Sequence, residues 1–309
     1  MKRRAALAVA VLASAGTWLS AQTQTPQVFQ FFISAHDAAG AQVTDLRAED
    51  IIMSEDGVRQ QIARVEARAI PMKLTIAVDN GADAVDAIEY YQAGLKGLVD
   101  ALPRDVEITL ISTAPQPRTI VKPTTDHAQI LRGIQNIAPE RDRPRFSDTL
   151  VEYSQRLQRE AKDRLATQYL PVLLMVSTAY PETVTYQPIR IQEAVQFLAR
   201  RHAKVNVILV STRQGDVVTA TALKSSIQAV VGQPAVQATN GRFEMLGVPR
   251  HLATLLPEWG RELAKVHARQ NGQFRVTVER ARGGDLKNPR VELARPGLTG
   301  TVTPDGFLP

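Results

Sequence analysis

The chain has 309 residues, 44% hydrophobic and 22% charged, with 18 Gly and 18 Pro, which suits one large or two modest globular domains. These figures exclude disordered, collagen-like and polytopic membrane chains, and with aromatics at 5% the core must be built from Val, Leu, Ile and Ala. The formal charge is +6, from 37 basic and 31 acidic residues, and cysteine is absent, so disulfides, thiol nucleophiles and thiolate metal sites are excluded.

At the N-terminus, Lys2, Arg3 and Arg4 precede an apolar run over 5–19, followed by the small residues Ser20 and Ala21. A basic n-region, an h-region and a small-residue cleavage site predict a secretory signal peptide over 1–21. An uncleaved anchor is the alternative, because the run nearly reaches across a bilayer; the Gln/Thr/Pro-rich stretch over 22–27 favours cleavage. Arg3-Arg4 also carries a faint twin-arginine cue. Without the three leading cations the chain holds 34 basic against 31 acidic residues, a net +3. No stretch interleaves basic and aromatic residues as a nucleic-acid binder does, and Arg141-Asp142-Arg143-Pro144-Arg145 reads as a solvated loop. The expectation is a secreted or periplasmic protein, not membrane-embedded after cleavage, with no nucleic-acid partner.

Residues 28–36 form a β-rich run closed by Asp37 and Gly40. A helical turn follows over 46–50. Two apolar runs over 51–54 and 58–65 flank Glu55-Asp56-Gly57, and Asp-Gly between such runs predicts a tight hairpin. From Met72 the period changes. Residues 74–78, 106–111, 172–176 and 205–210 are continuous apolar runs, the pattern of strands buried on both faces of a parallel sheet. Ile120-Val121 reads as a short edge strand. Helical spacing covers 84–102, 126–137, 147–168 (starting at an N-cap serine), 191–201, 220–231 and 252–266. Strands return over 274–278 and 291–293, and a β-like tail begins at Arg295-Pro296-Gly297. The expected fold class is α/β: a doubly wound, mainly parallel sheet over 70–270, flanked by N- and C-terminal β segments over 22–69 and 271–309. Neither flanking segment has strands enough to bury a core of its own.

In such a sheet ligands gather at the carboxyl ends of the strands. Here these are Asp79-Asn80-Gly81-Ala82-Asp83, Ser112-Thr113 and Ser177-Thr178-Ala179, which places the candidate binding residues at Asp79, Asn80, Asp83, Ser177 and Thr178. The layout resembles a von Willebrand factor A-type (VWA) domain. The stretch over 40–50 and Glu55-Asp56-Gly57-Val58-Arg59-Gln60 in front, with residues 291–298 and Gly306-Phe307 behind, resemble the VWA-related family known chiefly from acidobacterial genomes.

That resemblance implies a Mg²⁺-dependent adhesion site: an Asp-x-Ser-x-Ser loop, a Thr from a second loop and an Asp after a later strand, supplying oxygens in octahedral directions. Of the five side chains only Asp79 is kept. Gly81 and Asp83 stand where the two serines would be, Pro144 or Arg145 where the Thr would be, and Thr178 at the later Asp. The expectation is therefore a degenerate site with no cofactor. The alternatives are a rebuilt site on Asp79, Asp83 and Asp148 with weak Mg²⁺ or Mn²⁺ binding, or solvated loop carboxylates without a role. Asp148 also reads as a helix first-turn residue favoured by the macrodipole.

No nucleophile elbow, phosphate loop, His-Glu-x-x-His or dinucleotide fingerprint occurs. His36, His127, His202, His251 and His267 lie far apart in sequence and read as surface or helix-end residues. One of Tyr90 and Tyr91 is expected to pack inward. The sequence thus predicts an exported, non-enzymatic VWA-like adhesion or scaffold protein that binds a protein or an envelope glycan. The alternative is an exported enzyme with its site at the sheet's C-terminal edge or in the irregular segment over 213–250.

Overall fold

The chain opens on strands that alternate and reaches, at Met72, strands that are apolar throughout, and the structure changes kind at the same residue. The computed structural model describes residues 27–162, 168–211, 226–280 and 286–308. The leader read as a signal peptide, part of the helix expected over 220–231 and the first part of the 213–250 segment lie outside the described residues.

The first strands are β1 (Gln27–His36), β2 (Ile51–Glu55), β3 (Val58–Arg59) and β4 (Gln61–Arg68). β2 and β3 form the Asp-Gly hairpin, pairing Ser54 with Arg59 and Glu55 with Val58. Asp56 and Gly57 take φ of 48° and 81°, the left-handed pair that a two-residue turn between twisted strands requires.

The α/β part follows as β5 (Met72–Val78), α1 (Ile88–Ala101), β6 (Glu107–Ser112), β7 (Arg118–Thr124), α2 (His127–Gln135), α3 (Phe146–Ala161) and β8 (Leu170–Thr178). It continues with α4 (Pro188–Arg200), β9 (Lys204–Val210), α5 (Ile227–Ala238), β10 (Phe243–Leu246) and α6 (Leu252–Asn271). The six strands lie in the order β10-β9-β8-β5-β6-β7, parallel except for β7, which runs antiparallel to β6 at the edge. Counted within the sheet this is 3-2-1-4-5-6, the doubly wound order, with its switch point between β5 and β8. Every residue of β8 is buried. Val172, Leu174 and Val176 join the core under α1, α2 and α6, whereas Leu173 and Met175 join the core under α3, α4 and α5. That two-sided burial is why the run is continuously apolar.

α1 and α6 touch backbone to backbone. A Cβ on Gly94 would lie 2.6 Å from the Leu252 carbonyl oxygen, and one on Gly260 would lie 2.6 Å from that of Leu98. The apolar stripe of α6, from Leu252 through Leu256, Trp259 and Leu263, is core. Tyr91 packs fully inside while Tyr90 stays 40% exposed.

The chain closes with β11 (Gln273–Arg280), β12 (Arg290–Leu293) and β13 (Thr299–Thr303). These interleave with the N-terminal strands in two sheets, ordered β13-β1-β11-β4 and β12-β2-β3. Phe31, Ile33, Ile51, Met53, Phe274, Val276 and Val278 fill the space between them, so each segment supplies the partners the other lacks. Ion pairs tie the same two segments: Arg280 forks onto Glu55 at 3.1 and 2.6 Å, and Arg295 reaches Asp50 at 3.1 Å and Asp45 at 2.9 Å. Beyond β13 the tail returns to the α/β part, where Phe307 stacks on His202 at 4.6 Å and the Gly306 carbonyl accepts from Gln270 of α6 at 3.3 Å.

Four details correct the sequence reading. Residues 82–87 form a 3-10 turn before α1 starts. Ser147 is not the N-cap of α3 but its second helical residue, because Arg145 occupies the cap. β10 had no signal among glycines and prolines, being four residues long. His267 is no surface group: it is 3% exposed in α6, with Nε2 3.0 Å from Asp105 Oδ2. Among the described residues no helix is long and apolar enough to cross a membrane.

Candidate functional site

Asp79 is the first residue past β5, at the switch point. Its N–H still pairs with the Val176 carbonyl of β8 at 2.9 Å, so its carboxylate is directed at the end of that neighbouring strand. There Oδ2 accepts from Thr178 Oγ1 at 2.6 Å, from Thr178 N at 2.9 Å and from Ser177 Oγ at 3.2 Å, while Oδ1 accepts from Gly81 N at 2.8 Å. Asp79 and Thr178 are both 0% exposed. Burial is the largest influence on the Asp79 carboxyl and raises its pKa, with the four hydrogen bonds pulling the other way.

Asn80 is tied in the same manner. Its amide donates to the Ala138 carbonyl at 3.0 Å and accepts from Ala114 N at 3.0 Å, and its own carbonyl accepts from Glu140 N at 2.7 Å. Residues 138–145 thus lie across the strand ends as a roof, with further bonds from Ala82 N to Asp142 O at 3.0 Å and from Arg145 N to Thr113 O at 3.1 Å. A Cβ on Gly81 would meet Pro144 Cδ at 2.8 Å and Asp142 O at 2.9 Å. Glycine stands there because the roof leaves no room for a side chain.

The roof runs into α3, whose first turn is clasped from the far side by the loop after β8. Glu182, 7% exposed, accepts from Ser147 N at 2.8 Å and from Ser147 Oγ at 2.6 Å. In the opposite direction Asp148 accepts from Thr185 N at 2.9 Å and Tyr186 N at 3.2 Å. Arg145 pairs with Asp148 at 3.2 Å, anchors on the Pro115 carbonyl at 2.6 Å and donates to the Thr185 hydroxyl. Burial acts to raise Asp148, but the bonds from Thr185, Tyr186 and Arg145 outweigh it and hold its carboxyl below the usual aspartate value. Burial pushes Glu182 up to about 7, against the Ser147 bonds and with the charge of Asp148 adding to the rise.

Of the residues picked from sequence, Asp79, Ser177 and Thr178 meet in one cluster and Asn80 braces the loop beside it. Asp83 sits half-buried in the first turn of the 3-10 segment Ala82–Ala87. Asp148 is spent on the loop over 179–187. Among the described residues, Asp79, Asp83 and Asp148 are not assembled into a ligand set, nor is any other group of three His, Asp or Glu side chains. Glu182 escaped the sequence reading altogether: a single glutamate in a Pro/Thr-rich loop has no spacing that announces a partner 35 residues away.

Strand order and site together define a doubly wound α/β protein whose switch point is occupied by its own Asp79–Thr178 cluster. Several solved structures have a similar fold. A von Willebrand factor type A protein from Catenulispora acidiphila matches with 9% identity over 91% of this chain and 74% of that one, at a TM-score of 0.47. BatB from Bacteroides thetaiotaomicron, a conserved hypothetical protein, matches with 12% identity over 63% and 99%, at 0.46. The vWF domain of the type V pili tip protein Mfa5 from Porphyromonas gingivalis matches with 13% identity over 64% and 96%, at 0.42. No protein-family profile and no curated protein matches the chain by sequence.

Proposed function

We propose that the chain is an exported VWA-like binding module, an adhesion or scaffold protein that presents its strand-end face to a protein or an envelope glycan without a metal ion and without chemistry. The observation that supports this best is how far Asp79 is tied to its own chain. A reacting or ion-binding carboxylate keeps most of its oxygen lone pairs for its ligand, whereas this one accepts from Thr178 Oγ1, Thr178 N and Gly81 N and shares the Ser177 hydrogen with the Thr178 carbonyl. Its role is to join the β5 loop to the end of β8 and so to shape the surface above them.

The donor set does not fit a Mg²⁺ centre, which asks for oxygens from separate loops in octahedral directions. Gly81 brings no oxygen and Pro144 lies over it, while Thr178 Oγ1 donates its proton to Asp79. No step in the proposed binding passes through an ion. The outer surface of the face is set by exposed groups of the same loops, among them Arg141 and Arg143 on the roof and Val184, 39% exposed, on the clasp loop.

Capture from an envelope extract on the immobilised chain, with and without EDTA, tests the reading. The expected result is a retained partner that EDTA does not release and that Arg143→Asp or Val184→Asp weakens. Release by EDTA, or retention indifferent to both substitutions, would count against it. Export has its own test: N-terminal sequencing of the exported protein should begin at Gln22 or within a residue or two, and recovery of Met1 would favour an anchor instead.

A further inference from the structure

The loop over 179–187 holds the top face together through one helix end, and two carboxyls meet there. Glu182 comes from the loop and rests on Ser147 N and Oγ at 2.8 and 2.6 Å. Asp148 comes from the helix and receives Thr185 N and Tyr186 N. Thr183 N adds a bond to Pro144 O at 3.0 Å, so the same loop also fastens the roof above Asp79. Arg145 neutralises Asp148, and among the described residues no ion pair reaches Glu182. The groups of α3 that act on Glu182 are therefore Ser147, the Phe146 N–H and the charge of Asp148, the last paired with Arg145. α5 meets the loop through the uncharged Gln228, whose Nε2 donates to Tyr180 O at 2.5 Å.

We propose that Glu182 is a proton-operated clasp: protonated, it closes the loop over 179–187 onto α3, and deprotonated, it lets that loop lift from the helix and from the roof. A neutral carboxyl keeps both contacts. Its carbonyl oxygen accepts the Ser147 N–H, and its O–H donates to Ser147 Oγ, which turns its own hydrogen away. The carboxylate accepts the same two bonds but adds a second buried negative charge beside Asp148, and burial penalises that form. Its pKa of about 7 lies above the ordinary glutamate value of 4.5, so the closed loop binds the proton more tightly than the open one. Closure is favoured as pH falls through neutrality and loses that advantage as pH rises, the proton leaving to solvent. The inference concerns the motion of the loop and stands whether or not the face binds a partner.

Hydrogen exchange of the purified chain, read by mass spectrometry at pH 6 and pH 8 and corrected for intrinsic rates, tests it. In the wild type the closed-to-open ratio for peptides covering 179–187 and the first turn of α3 is expected to fall about tenfold between the two pH values, while β5 peptides stay level. Glu182→Gln keeps both contacts without titrating and should hold its ratio constant. Equal protection at the two pH values in the wild type, or a response of the same size in Glu182→Gln, overturns the proposal. Should that variant not fold, the carboxyl-carbon NMR titration of Glu182 in the wild type decides. A midpoint near 7 shared with the loop amides supports the clasp, and a midpoint in the ordinary glutamate range overturns it.

Discussion

Thr178 donates both its hydroxyl and its backbone N–H to one carboxylate oxygen of Asp79, at 2.6 and 2.9 Å, from the end of a strand 99 residues away in sequence. The two residues close the crevice that a doubly wound sheet leaves at its switch point. The carboxylate at the switch point thus joins two strand ends.

The joint has a measurable stability. Asp79→Ala strands the N–H groups of Gly81 and Thr178 and the Thr178 hydroxyl in a buried site, while the Ser177 hydroxyl keeps the Thr178 carbonyl at 3.1 Å. Buried donors left unmade cost about 1–3 kcal/mol each before the site relaxes, so a loss of about 3 kcal/mol is expected in urea unfolding. A loss below about 0.5 kcal/mol would show that the cluster is not a structural joint.

A serine placed at position 81 should not create an ion site. In Gly81→Ser the new Cβ would stand 2.8 Å from Pro144 Cδ and 2.9 Å from Asp142 O. The roof must shift, at about 1–3 kcal/mol as in other overpacked sites. Isothermal titration with Mg²⁺ or Mn²⁺ should give little heat for the wild type and for this variant, and EDTA should leave both melting temperatures unchanged. A micromolar transition in the wild type that Asp79→Ala abolishes would mean a rebuilt site.

Asp148 sets an acid limb. Its folded pKa lies below the ordinary 3.8, so its contribution is fully present above that value and is lost as pH falls through the folded one. The wild type should therefore lose stability relative to Asp148→Asn as pH falls below about 4. Unfolding midpoints of both proteins measured across that window check this, and parallel curves would remove Asp148 from the clasp.

The returning tail is a structural strap. Phe307 is 9% exposed and stacks on His202 at 4.6 Å, and truncating a buried phenylalanine costs about 3 kcal/mol or more. Phe307→Ala should lower the melting temperature of the whole chain in one transition. Two separate transitions would show that the interleaved β sheets and the α/β part unfold independently.

Much of the fold was legible because burial writes itself into periodicity. The two-sided strands β5, β6, β8 and β9 are continuously apolar, the stripe of α6 recurs at helical spacing, and Asp56-Gly57 names its own turn. β10 was not legible, since four residues have no period, nor was the true cap of α3, since Ser147 looks like a cap residue until Glu182 takes its N–H and hydroxyl.

The same division runs through the site. Sequence alone determined that an aspartate follows the first sheet strand and that the flanking β segments need partners. Only tertiary structure decided that Thr178, Ser177 and Gly81 donate to Asp79, that Pro144 covers Gly81, and that Glu182 and Asp148 fasten the loop over 179–187 to one helix turn. These are contacts between residues tens of positions apart, and they form because strand order brings the ends of β5 and β8 together; no local pattern of residue types encodes which distant donor will meet a given carboxylate.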